Sequence, residues 1–127
     1  MGQQQLLLIV LGVIVVGIAV VVGINLFNAN AVSSNRDGVI ADLNNLGAMA
    51  QQFYKKPTSM GGGGNTFTGF TLPAEIDTTP NGSYAATVTA TTVTITGTGN
   101  EKGDNGSSGV QHRAVVSATA ITITKLN

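Results

Sequence analysis

The first quarter of the chain shows no alternation of apolar and polar positions. From Leu6 to Ile24 (LLLIVLGVIVVGIAVVVGI) every residue is apolar or glycine, so a helix there would be apolar on all faces, unlike an amphipathic core helix. At 1.5 Å per residue the run spans roughly 28 Å, enough to cross the hydrocarbon core of a bilayer. It predicts a single membrane-spanning helix. A secretory signal peptide would open on basic residues and carry a shorter apolar stretch, whereas Met1 to Gln5 (MGQQQ) has no Lys or Arg and the segment after Ile24 continues as plausible helix. Gly12, Gly17 and Gly23 interrupt the run in a spacing that is not GxxxG. Two readings of them stand: sites where the helix can unwind or a neighbour can approach, or the ordinary glycine content of membrane helices.

After Asn25 the pattern changes without a helix-breaking proline. Val32, Arg36, Val39, Leu43, Leu46, Ala50 and Phe53 follow alternating steps of three and four, which places them on one stripe. Asn35, Asp37, Asp42, Asn44, Asn45, Gln51 and Gln52 are assigned to the opposite, solvated side. Lys55 and Lys56 suit a helix C-terminus, and Pro57 biases Lys56 out of helical geometry, so the helix should end near residue 55. A nearly continuous helix from about residue 3 to 55 would be about 80 Å long. Gly38 and Gly47 each weaken it by up to about 1 kcal/mol relative to Ala.

Beyond Pro57 the period shortens to two. Gly61 to Gly64 reads as a flexible connector, leading to a short strand over Thr66–Leu72 that Pro73 ends. Asn81-Gly82 signals a turn into an alternating run Ser83–Thr89, which pairs with Thr92–Thr96 as a hairpin. The polar, glycine-rich stretch Gly97–Gly109 reads as a loop, and Val110–Val116 and Ala120–Leu126 as later strands joined by a turn near Ser117–Thr119. The expected fold is α+β: a long N-terminal helix with an antiparallel sheet of about four strands packed on its second half. Its divisions are an apolar half-helix at 1–27, an amphipathic half-helix at 28–56 and a β-rich head at 57–127.

Composition narrows the chemistry. Six basic and six acidic residues cancel in a chain only 9% charged, which excludes the electrostatic footprint of a nucleic-acid binder. With no cysteine, disulfides and thiolate chemistry are excluded. His112, the single histidine, lies in a predicted strand as a partly exposed pairing residue, with no acid or nucleophile at a motif spacing. Glu101, Asp104 and Asn105 lack calcium-loop spacing, and Gly61–Gly64 lacks the Lys-Ser/Thr of a phosphate loop. No catalytic residue, metal site or cofactor is therefore expected. Asn81-Gly82-Ser83 and Asn105-Gly106-Ser107 fit the N-glycosylation sequon, making Asn81 and Asn105 candidate acceptors, and both fit β-turns equally well. The aromatics Phe27, Phe53, Tyr54, Phe67, Phe70 and Tyr84 are expected to serve core packing.

A membrane-length apolar N-terminus running unbroken into a striped helix, then a glycine-rich loop and a compact antiparallel sheet, resembles the type IV pilins in a divergent bacterial or archaeal form. If Met1 is the mature N-terminal residue, Gln5 falls at the fifth position, where pilins usually carry glutamate. Leu6 then begins the apolar run as in the family, and AQQFYKKP is similar to the close of the long pilin helix. The resemblance covers the architecture of the whole chain and the sequence of about its first 55 residues. It implies a structural subunit of a cell-surface fimbrium, with a membrane-embedded precursor pool, self-association into a helical homopolymer, and handling by pilus assembly machinery. The cytoplasmic membrane would hold the chain before assembly, and the heads would serve adhesion. The residues it implicates in assembly are Met1, Gln5, Leu6, Leu8, Ile9, Leu11, Val13, Ile14, Val16, Ile18, Val20, Val21 and Ile24.

Gln5 departs from the pattern, because an amide can hydrogen-bond to a neighbour's N-terminal amine but cannot form an ion pair with it. The cysteine-closed loop of many bacterial pilins is absent, as is any proline in the first half of the helix. Prepilin peptidases cut after glycine, so Gly2–Gln3 is a formal cleavage site. Either the sequence is already mature or Met1 is retained. The rival reading is a membrane-anchored, nonpolymerising pseudopilin or small extracytoplasmic binding module.

Overall fold

A computed structural model describes residues 2–127. Helix α1 runs Gly2–Lys55, matching both the absence of an internal stop signal and the break at Pro57. The chain divides into two compact units, 1–31 and 32–127. Among the described residues the first consists of the Gly2–Ala31 part of α1 alone.

In the second unit five strands form one antiparallel sheet: β1 Thr78–Thr79, β2 Gly82–Val88, β3 Val93–Lys102, β4 Gly109–Val116 and β5 Ile121–Lys125. They lie in sequence order, each pairing with the next. The sheet packs against the second half of α1 through its period-two face. One row across that face is Val88, Val93, Val116 and Ile121, and the next is Ala86, Ile95, Ala114 and Ile123. Against these rows α1 buries Val39, Leu43, Leu46 and Ala50, with Phe53 partly covered. Each large side chain buried there contributes roughly 1.5–3 kcal/mol. The predicted stripe is the one that packs.

Gly47 is part of that packing. A Cβ there would lie 2.8 Å from Ile121 Cδ1 and 3.2 Å from Val116 Cγ2, so the bare Cα lets helix and sheet close together. What glycine costs in helix propensity at this position is offset by tighter packing.

Four expectations need correction. No strand forms over Thr66–Leu72; Phe67 and Phe70 are instead buried from an irregular loop, with Phe67 N donating to Ala90 O at 3.1 Å. Their rings pack on Tyr54 and Phe53 at centroid distances of 4.7 and 5.5 Å. Nor is Gly61–Gly64 a free connector. Gly63 N donates to Phe53 O at 2.7 Å, Asn65 N to Tyr54 O at 2.8 Å and Gly64 N to Lys56 O at 2.9 Å. These bonds satisfy carbonyls that the end of α1 would otherwise leave orphaned. The path requires left-handed backbone at Gly61, Gly64 and Asn65. Third, Gly97–Lys102 is not loop but the continuation of β3, since Gly97 and Gly99 face the helix and keep the strand's alternation with no side chain to mark it. Finally, Phe27 lies in α1 with 78% of its surface exposed, outside the core that the other five aromatics build.

Candidate assembly surface

In the first unit the implicated large apolar side chains are exposed among the described residues. Leu6, Leu8, Ile9, Leu11, Val13, Ile14, Val16, Ile18, Val20, Val21 and Ile24 are all more than half exposed, from 53% at Ile14 to 68% at Val13. They surround the helix axis rather than forming a stripe. By length and composition α1 is able to cross a membrane. Gln5 is exposed near its start, and Met1 lies outside the described residues. The helix continues through Gly12, Gly17 and Gly23, and a Cβ on any of them would meet open space.

In the second unit polar chemistry gathers where the striped helix meets β1 and β2. Asp42 Oδ2 accepts hydrogen bonds from Tyr84 Oη at 2.5 Å, Thr79 Oγ1 at 2.7 Å and Asn81 Nδ2 at 3.1 Å. Burial pushes the Asp42 carboxyl upward, but the donors Tyr84, Thr79 and Asn81 together outweigh it and hold it below the ordinary carboxylate range. Burial, reinforced by the Asp42 carboxylate, pushes the Tyr84 hydroxyl well above its usual range. Three polar residues assigned to the solvated face of α1 therefore bind the head instead. Asp42 takes these bonds, Asn35 Nδ2 donates to Asn81 O at 2.7 Å, and Gln51 Nε2 donates to Ser117 O at 3.1 Å. The missed signal is spacing. Asp42 stands three residues after Val39 and four before Leu46, on the edge of the stripe.

Toward the opposite edge of the sheet, Arg36 Nη1 donates to Asn127 O and Arg36 Nη2 to Asp104 Oδ1, each at 2.8 Å. Lys125 also pairs with Asp104. Hydrogen bonding to Lys125, and more weakly the Arg36 charge, holds the exposed Asp104 carboxyl low. His112 is buried, only 5% exposed, rather than partly exposed as expected, and its Nδ1 has no partner among the described residues. Burial first, then the charges of Arg36 and Lys125, push its pKa down. It faces Tyr84 and Lys125 through the strand row Tyr84, Gly97, His112, Lys125.

The two sequon asparagines differ. Asn81 Nδ2, the atom that would carry a sugar, is bonded to Asp42. Asn105 is exposed, and its Oδ1, not its amide nitrogen, makes the bonds of the turn, accepting from Ser107 N and Ser108 N at 2.9 Å. Beside Asp42 a groove of about 420 Å³ is lined by Asn45, Leu46, Met49, Ile76 and Thr79. Among the described residues no three His, Asp or Glu side chains gather to hold a metal. No family model, no curated protein and no solved structure matches the chain.

Proposed function

We propose that the chain is a structural subunit of a type IV pilin-like extracellular filament, assembled through its N-terminal helix. The observation that supports this is the continuity of α1: a segment apolar on every face and exposed among the described residues runs without a break into a segment that carries a folded head. In a membrane-embedded precursor pool lipid solvates Leu6–Ile24. In the polymer the same surface is covered by neighbouring copies. Head-to-tail contacts of this kind propagate without closing and give an open helical homopolymer. Pilus assembly machinery moves the subunit between the two environments, and the heads form an outer surface available for adhesion. The role is structural rather than enzymatic.

Shearing the producing cells and imaging the released material tests the proposal. Filaments containing this chain, abundant in the sheared fraction, are the expected result. Retention of the whole population in the membrane, with no filament, would replace the proposal with a membrane-anchored, nonpolymerising subunit or binding module.

A further inference from the structure

Hydrogen-bond parity along β5 fixes which of its backbone groups lack a partner. Ser117 N donates to Ala120 O at the turn, and Leu126 N donates to Gln111 O at the far end, both at 2.8 Å. Antiparallel pairs alternate between bonded and non-bonded, so between these two points Thr122 bonds Val115 and Thr124 bonds Arg113. The N–H and C=O groups of Ile121, Ile123 and Lys125 therefore point away from β4. β5 is the last strand of the sheet and pairs only with β4 among the described residues. The opposite edge, β1, is two residues long.

Sheet edges are usually blunted by proline, bulges or charge. β5 has neither proline nor register shift. Its one charged side chain, Lys125, is paired with Asp104 of its own chain.

We propose that the β5 edge docks a second copy of this chain, which adds its own β5 antiparallel about a two-fold axis at Ile123. In that register Ile123 faces Ile123 of the second copy, and Ile121 faces its Lys125. All the outward groups are then used, in about six N–H···O bonds. The side chains complement themselves. Thr122 meets Thr124 of the second copy twice on the exposed face, a favourable cross-strand pair, and each Lys125 faces a neutral isoleucine rather than a like charge. The contact is isologous, so it joins two chains and then stops, unlike the open-ended contacts of a helical polymer.

The absence of cysteine makes the register directly testable in the full chain, dispersed in detergent at one chain per micelle. Thr122→Cys and Thr124→Cys chains, mixed and oxidised, should cross-link to each other, because these positions lie directly opposite at a non-hydrogen-bonded site. Either variant alone should cross-link several-fold less, being offset by about 7 Å along the strand. Equal cross-linking in the single-variant samples overturns the register, and none in any sample overturns the pairing.

A charge pair gives a second arm, placed at two exposed positions that leave the head's core untouched. Thr122→Lys with Thr124→Lys sets lysine against lysine twice and should weaken association roughly tenfold. Thr122→Lys with Thr124→Glu sets lysine against glutamate and should restore it. Loss of association in both overturns the proposal. Because the measurements use unassembled protein, they stand or fall independently of filament formation.

Discussion

The two parts of α1 share one backbone geometry and differ in what surrounds them. Leu6–Ile24 exposes large apolar side chains in every direction, while Val39, Leu43, Leu46 and Ala50 are buried against the sheet. A helix is thus stabilised in two ways within one element. The striped part is held by tertiary packing of one face, the usual source of helical stability in proteins. The all-apolar part has its large side chains exposed among the described residues, so packing of one face does not account for it. Equivalent substitutions should therefore have opposite signatures in the two parts.

The largest effect is expected from Leu43→Ala, at a fully buried position in the centre of the interface. It should lower the stability of the head by about 2–5 kcal/mol in urea titrations of the detergent-solubilised chain, followed by tyrosine emission. Leu8→Ala, at a position 67% exposed, should leave that titration unchanged within about 0.5 kcal/mol. A comparable loss from Leu8→Ala would break the comparison, because it would mean that the apolar part is buried by the chain itself.

Glycine gives a sharper version. Gly47→Leu drives a side chain into Ile121 and Val116 and should cost about 1–3 kcal/mol. Gly17→Leu enters open space and should not change the unfolding of the head. In the proposed filament, the yield from the Gly17 variant then reports on neighbours alone. Loss of filaments with an intact head would place a close helix-helix approach at that residue.

The same contrast explains how much of the fold could be read from the sequence. The apolar run and the stripe ending at Pro57 were legible because each carries its own period, and helix and sheet follow from them. The sequon pattern named Asn81 and Asn105 alike, and only the fold distinguishes them, by engaging the Asn81 amide with Asp42. Position alone decides that. The end of β3 was not legible because Gly97 and Gly99, which make the strand's buried face there, have no side chains to alternate. Phe67 and Phe70 read as strand residues because irregular backbone buries aromatics at the same spacing. Asp42, Asn35 and Gln51 depart from the rule that polar residues are solvated, because their spacing from Val39, Leu46 and Gly47 places them beside the packed stripe. The residues implicated in assembly are named by the resemblance alone, and the fold adds that those among the described residues are exposed.

Acid should separate the two parts again, since the shifted groups among the described residues all belong to the second unit, 32–127. The pKa of His112 is lowered in the fold, so its contribution to stability is complete above about pH 6.5 and is lost as pH falls from there through the lowered value. His112→Leu should remove this first acid step and, by deleting an unpaired buried nitrogen, raise stability by about 1 kcal/mol. Asp42 is also lowered, so its contribution is complete above about pH 3.8 and is lost on further acidification. Asp42→Asn should remove that second step. A single acid transition unaffected by either substitution would show that neither group controls it. The helical signal of the apolar part should not follow these steps.

The smallest effect on folding is expected at Asp104, and it matters for the edge rather than the core. Its side chain is 63% exposed, a setting in which ion pairs contribute little and are screened by salt. Asp104→Ala should therefore leave the urea midpoint of the head unchanged. The same substitution frees the Lys125 ammonium, returning a positive charge to the strand whose outward backbone groups are unpaired. Edge lysines oppose strand addition, so cross-linking between the Thr122→Cys and Thr124→Cys chains should fall when Asp104→Ala is added to both. Adding Lys125→Gln as well should restore it, because the charge rather than the ion pair is then at issue. Unchanged cross-linking in the Asp104→Ala background would mean that Lys125 does not guard the edge, and that the pairing is set by backbone geometry alone.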